Sequence, residues 1–146
     1  MMTEAAHTEM PSLNRFVRAQ AGVYHHALAE LNAGEKRTHW MWFVFPQMQG
    51  LGKSANARTY AIHSREEARA YLRHELLGPR LLEVTQAMLA HAGKRQPVEI
   101  LGPIDTMKFR SCMTLFEAVA DDPELFAQAL DRLCDGSRDK TTLEMI

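Results

Sequence analysis

The residues best suited to chemistry lie between Gly34 and Gln47, in the stretch GEKRTHWMWFVFPQ. Two tryptophans, two phenylalanines and a proline fall within the seven residues from Trp40 to Pro46. Lys36, Arg37 and His39 stand just ahead of them and Gln47 just behind. Aromatic faces beside cations can sandwich a nucleobase or another planar ligand. In that reading Trp40 stacks and Lys36 holds charge. His39 serves as a general acid or base, the commonest role of histidine in catalysis. The plain alternative is that large aromatics fill a core, their most frequent use.

Two further groups could contribute. Lys108 and Ser111 are three apart and share a helix face. A lysine at the border of an apolar face can hold a phosphate or carboxylate, although snorkelling to solvent is its ordinary role. Ser54, flanked by Lys53 and Arg58, could grip an anion with the free N–H groups of the helix that follows. Ordinary capping competes with that reading. The ligand-site hypothesis requires Lys36, His39, Trp40, Gln47, Lys108 and Ser111 to converge on one cleft, with Ser54 as a further anion contact.

Other signatures are missing. Gly50-Leu51-Gly52-Lys53-Ser54 resembles the end of a phosphate-binding loop but lacks the first glycine and a preceding strand. His25 and His26 are adjacent and diverge on a helix, and no HxxxH pair occurs. Cys112 and Cys134 have no zinc-ligand spacing and read as reduced, buried thiols. Carboxylates such as Glu66, Glu67, Glu75, Glu83 and Asp105 are dispersed and suggest no acid–base dyad. No metal and no cofactor are expected.

Composition bounds the partners. The 146 residues carry 17 basic and 18 acidic side chains, a formal charge of −1. A dedicated duplex-DNA binder needs a basic excess to neutralise phosphates. RNA binding rests only on aromatics near Lys36, Arg37, Lys53 and Arg58, and the balanced charge makes it the weakest reading. Apolar residues make up 46% and charged residues 24%, which is globular composition. The longest apolar run, Trp40–Phe45, is too short to cross a bilayer. Met1–Pro11 lacks the pattern of a signal peptide and reads as a flexible lead-in, so a cytoplasmic location is expected.

Helical periodicity accounts for the remainder. One apolar stripe, Leu13, Phe16, Val17, Ala21, Tyr24, Leu28 and Leu31, predicts a helix from Ser12 to about Asn32 that Gly34 ends. Trp40–Phe45 is apolar all round, and without a second strand to pair with it reads as a short buried helix stopped by Pro46. Ser54 predicts a short helix, and Ser64 with Glu67 a capping box opening another. Gly78-Pro79 punctuates, and Leu81, Val84, Thr85, Met88, Leu89 and Ala92 trace the next stripe. A single apolar turn at Val98–Leu101 precedes a helix from Ile104 to Ala120. Asp122 and Pro123 open a last helix, and Leu143 and Ile146 are expected to tuck back onto the body. The prediction is one all-α domain over residues 12–146, a multihelical orthogonal bundle of six or seven helices.

The aromatic block, with Leu51-Gly52-Lys53-Ser54, Glu67-Ala68-Arg69-Ala70-Tyr71-Leu72, Leu77-Gly78-Pro79-Arg80-Leu81, Asp105-Thr106-Met107-Lys108 and Ser111-Cys112-Met113-Thr114-Leu115-Phe116, resembles a family of uncharacterised bacterial proteins. The resemblance runs from about Leu13 to Thr142-Leu143 and implies a single all-α domain of unknown function. Cys112 departs from the familiar pattern, which usually has a serine there. Some members bear the name calpastatin. A calpain inhibitor is expected to be extended and repetitive, and this chain is neither, so that label is not carried over. A more distant likeness is to the NADAR proteins, whose name ties them to NAD and ADP-ribose metabolism, with no catalytic residue transferred. The functional expectation is a cleft beside residues 39–47 that binds or processes a small anionic, nucleotide- or ADP-ribose-like ligand. The competing expectation is a non-catalytic protein-interaction or regulatory module, whose exposed apolar face binds a partner chain or a second copy.

Overall fold

Short-range signals set the helix boundaries in the computed structural model, which describes residues 12–146. The expected lead-in over residues 1–11 lies outside the described residues. The stripe from Leu13 to Leu31 forms two helices, α1 (Asn14–Gln20) and α2 (Tyr24–Ala33), where one was expected. A turn at residues 21–23 separates them. Gly22 sits in that turn, where the lack of a side chain weakens a helix. The break lets α1 pack on α3 (Met41–Val44) while α2 packs on α6 (Leu77–Leu89). Gly34 closes α2 at φ +78°, the left-handed geometry that glycine adopts freely.

The aromatic segment is the short buried helix predicted, α3, with Phe45 fully buried behind it. Ser54 caps α4 (Ala55–Thr59) by accepting a hydrogen bond from the Ala57 N–H at 3.1 Å. Ser64 caps α5 (Arg65–Arg73) in the same way, through the Glu67 N–H at 3.0 Å. The capping box is only half formed. Glu67 accepts from the N–H of His63, one residue early, and pairs with Arg15 at 3.1 Å.

Helix α6 starts at Leu77, ahead of Gly78-Pro79 rather than after it. Proline is tolerated in a first turn, where its missing N–H has no intrahelical acceptor. The apolar turn after Gln96 is α7 (Pro97–Leu101), and Gly102, at φ +87°, redirects the chain into α8 (Pro103–Val119). Helices α9 (Glu124–Leu133) and α10 (Lys140–Met145) complete the chain. In the tail it is Thr142 that is buried and Ile146 that packs against the core, whereas Leu143 stays exposed.

The described residues contain ten helices and no strand; a lone parallel bridge joins Met48 to Ile62. Helices α6 and α8 are central. Helix α9 packs on both, α5 packs on both, and α7 and α10 lie along α8. One core cluster runs through the body, with Phe45 edge-on to Phe109 at 5.2 Å and Phe16 edge-on to Tyr71 at 5.2 Å. Among the described residues no helix is long and apolar enough to cross a membrane.

Candidate functional site

The site begins with a carboxylate that sequence reasoning passed over. Glu30 lies in the last turn of α2, where the helix dipole disfavours an acid. Its Oε1 accepts the Arg37 N–H at 2.8 Å, the Thr38 N–H at 3.1 Å and the Trp40 indole N–H at 2.8 Å. Its Oε2 accepts the Thr38 hydroxyl at 2.7 Å. Burial pushes this carboxyl up, but the four donors outweigh it and hold it at about 2. Glu30 therefore folds the loop from Glu35 to His39 around itself. The only sequence signal for this role was an acid at the wrong end of a helix, just before a glycine stop.

That loop delivers Lys36. Its backbone N–H donates to the Ile100 carbonyl at 2.8 Å, which ties the loop to α7. Its ammonium lies 2.9 Å from Asp105 Oδ2 and 5.2 Å from the centre of the Trp40 ring. Lys108, one helical turn along α8, reaches the other oxygen of Asp105 at 3.4 Å and lies 4.8 Å from the Trp42 ring. Two cations thus share one carboxylate, each over an indole. Lys36 is 10% exposed and Asp105 17%, so the triad is largely withdrawn from water. These groups line a cavity of about 330 Å³ together with His39, Trp42, Gly102 and Ile104. Among the described residues, the buried Trp42 indole N–H finds no hydrogen-bond partner.

A second depression of about 290 Å³ lies on the far side of Lys108 and Ile104, which line both. Gln47, Ser111 and Asp139 line it. The Gln47 carbonyl accepts from the Ile62 N–H at 2.8 Å, so the lone bridge positions this residue. Ser111 Oγ is 2.8 Å from Asp139 Oδ2 and 3.1 Å from the Met107 carbonyl. Burial raises the Asp139 carboxyl, and the hydroxyls of Thr142 and Ser111 more than offset this and lower it.

The structure thus gathers Lys36, His39 and Lys108 at the first cavity, and Gln47, Lys108 and Ser111 at the second. Two expected positions need correcting. Trp40 is fully buried and its N–H is committed to Glu30, so it has no face to offer a ligand; Trp42 is the tryptophan on the cavity. Ser54 lines neither depression, and its hydroxyl acts as a cap on a helix of five residues. Asp105, which looked like dispersed surface charge, is the hub of the first cavity.

Among the described residues, no three His, Cys, Asp or Glu side chains are grouped to hold a metal ion. No curated protein matches the chain. A solved structure that is similar is that of the conserved hypothetical protein Rv1873 from Mycobacterium tuberculosis, determined at 1.38 Å. It is 48% identical, aligns over 92% of this chain and 95% of that one, and superposes with a TM-score of 0.89. A family model described as "Protein of unknown function (DUF1810)" matches residues 10–146, and the chain belongs to that family.

Proposed function

We propose that the cavity between α3 and the start of α8 binds a small anionic ligand with a planar group, of the nucleotide- or ADP-ribose-like class. One observation carries the reading: Lys36 and Lys108 share a single carboxylate beside the Trp42 ring. Two ammonium groups and one carboxylate leave a net positive charge in a partly dehydrated cavity, where an anion gains more than in water. The volume of about 330 Å³ lies within the range of small-ligand sites. An acceptor on the ligand would also relieve the unpartnered Trp42 N–H, a group that costs about 1–3 kcal/mol when left unpaired.

The second depression extends the site. Gln47 and Ser111 supply amide and hydroxyl groups that suit the hydroxyls of a longer ligand, and Lys108 stands between the two halves. His39 is the imidazole on the cavity wall and the general acid or base if the bound ligand is processed.

The test is calorimetry and thermal shift against a panel of nucleotides and ADP-ribose, followed by Lys36→Met and Lys108→Met. A charge-assisted hydrogen bond is worth about 1.5–3 kcal/mol, so each substitution weakens binding by about 10- to 100-fold. A panel that gives no stabilisation, or variants that bind as well as the parent, refutes the proposal.

The second reading, an interaction module, is supported by Ile104 and Met107. They are 69% and 58% exposed and form an apolar step beside the two depressions. If that step is a contact surface, the parent self-associates by light scattering and Ile104→Asp abolishes that association.

A further inference from the structure

A separate cavity of about 210 Å³ lies where α7, α8 and the end of α9 meet. Arg110 lines it, with Pro97, Val98 and Leu133 as apolar walls and Asp135 among the lining residues. Arg110 is half-buried, and its buried Nε–H finds no hydrogen-bond partner among the described residues. Among the described residues, no carboxylate lies within 4.0 Å of its guanidinium, whereas Arg15 is paired with Glu67 at 3.1 Å and Arg138 with Glu117 at 2.6 Å. A guanidinium carries five donors in a rigid fork matched to a two-oxygen acceptor. One left unpaired beside a cavity is a receptor for such a group.

We propose that this cavity binds the carboxylate of a small organic acid through Arg110, with the acid's short hydrocarbon stem against Val98 and Leu133. Three observations set the class. The cavity is smaller than the usual range for ligand sites, so the occupant has few carbons. Pro97, Val98 and Leu133 give it an apolar wall, which suits a stem rather than a sugar. Asp135 lines the same cavity, and its carboxylate repels a phosphate dianion more than a carboxylate monoanion, so the carboxylate is preferred. Cys134 also lines the cavity, and burial holds its thiol at about 11, so it stays neutral and adds no charge of its own.

The test is NMR of protein labelled with ¹⁵N-arginine, watching the side-chain N–H resonance that Arg110→Lys removes. Propionate, phosphate and chloride are titrated at constant ionic strength. The expected result is a saturable shift of that resonance with propionate, a weaker response to phosphate and none to chloride, unchanged in Lys36→Met. Propionate also raises the melting temperature of the parent and not of Arg110→Lys. The proposal is overturned by a resonance indifferent to propionate, by tighter binding of phosphate, or by a response that disappears in Lys36→Met and so belongs to the other cavity. Because the two cavities share no lining residue, failure here leaves the nucleotide-site reading untouched.

Discussion

Replacing Glu30 with glutamine removes one negative charge from the centre of four hydrogen bonds. A free carboxyl of this kind sits at 4.5, and in the fold it is held at about 2. Each tenfold change in proton affinity is worth about 1.4 kcal/mol, so the full difference amounts to about 3 kcal/mol. Glu30 is only partly buried, and solvent screening reduces the contribution to about 1–2 kcal/mol. Because folding depresses the carboxyl, this stability is present above the free value and is lost as pH falls from about 4.5 towards 2. Urea denaturation of the parent and Glu30→Gln, followed by tryptophan fluorescence, measures it. At neutral pH the variant is expected to be about 1–2 kcal/mol less stable, and the gap is expected to shrink steadily below about pH 4.5. A gap that is the same at about pH 7 and pH 3, or a variant as stable as the parent throughout, refutes the idea that the ionised carboxylate organises the loop. Lys36 is carried on that loop, so Glu30→Gln also weakens any anion bound at Lys36 and Lys108.

Two further predictions concern the frame. An alanine at Gly78 would place its Cβ 2.1 Å from the Leu72 carbonyl oxygen, which is backbone and cannot swing aside. Gly78→Ala is expected to cost about 1–3 kcal/mol by overpacking, read as a lower denaturation midpoint with an unchanged slope. Burial pushes the Cys112 thiol well above its usual range and the Cys134 thiol to about 11. The thiolate is the reactive form, so a thiol-specific reagent at neutral pH is expected to modify the native protein slowly and both cysteines at once in denaturant. Rapid labelling of the native protein at Cys112 would contradict the burial of that side chain.

Periodicity along the chain identifies an all-α domain because the longer helices, such as α6 and α9, carry a stripe that only a 3.6-residue repeat can bury. The caps at Ser54 and Ser64 were legible for the same reason: the signal and its effect lie within one turn. The break at Ala21–Val23 was not, since a stripe continues in register across a turn of three residues. Nor was the start of α6 before Pro79, because proline stops a helix only beyond its first turn.

The sequence by itself marked Lys36, His39, Gln47, Lys108 and Ser111 as groups with chemistry, and the fold brings all five to the two depressions that meet at Lys108. Which tryptophan faces the cavity could not be read from residue type. Trp40 and Trp42 are two apart and leave a short helix in different directions, so their roles depend on what each one meets. Trp40 meets Glu30 and the core, and Trp42 meets Lys108 and open space. The same holds for Asp105, Glu30 and Arg110. Their charges are visible in the sequence, but whether a charge is paired, shared or left without a partner depends on what the folded chain places around it: a loop folded back on Glu30, and Lys36 carried from far along the chain to Asp105.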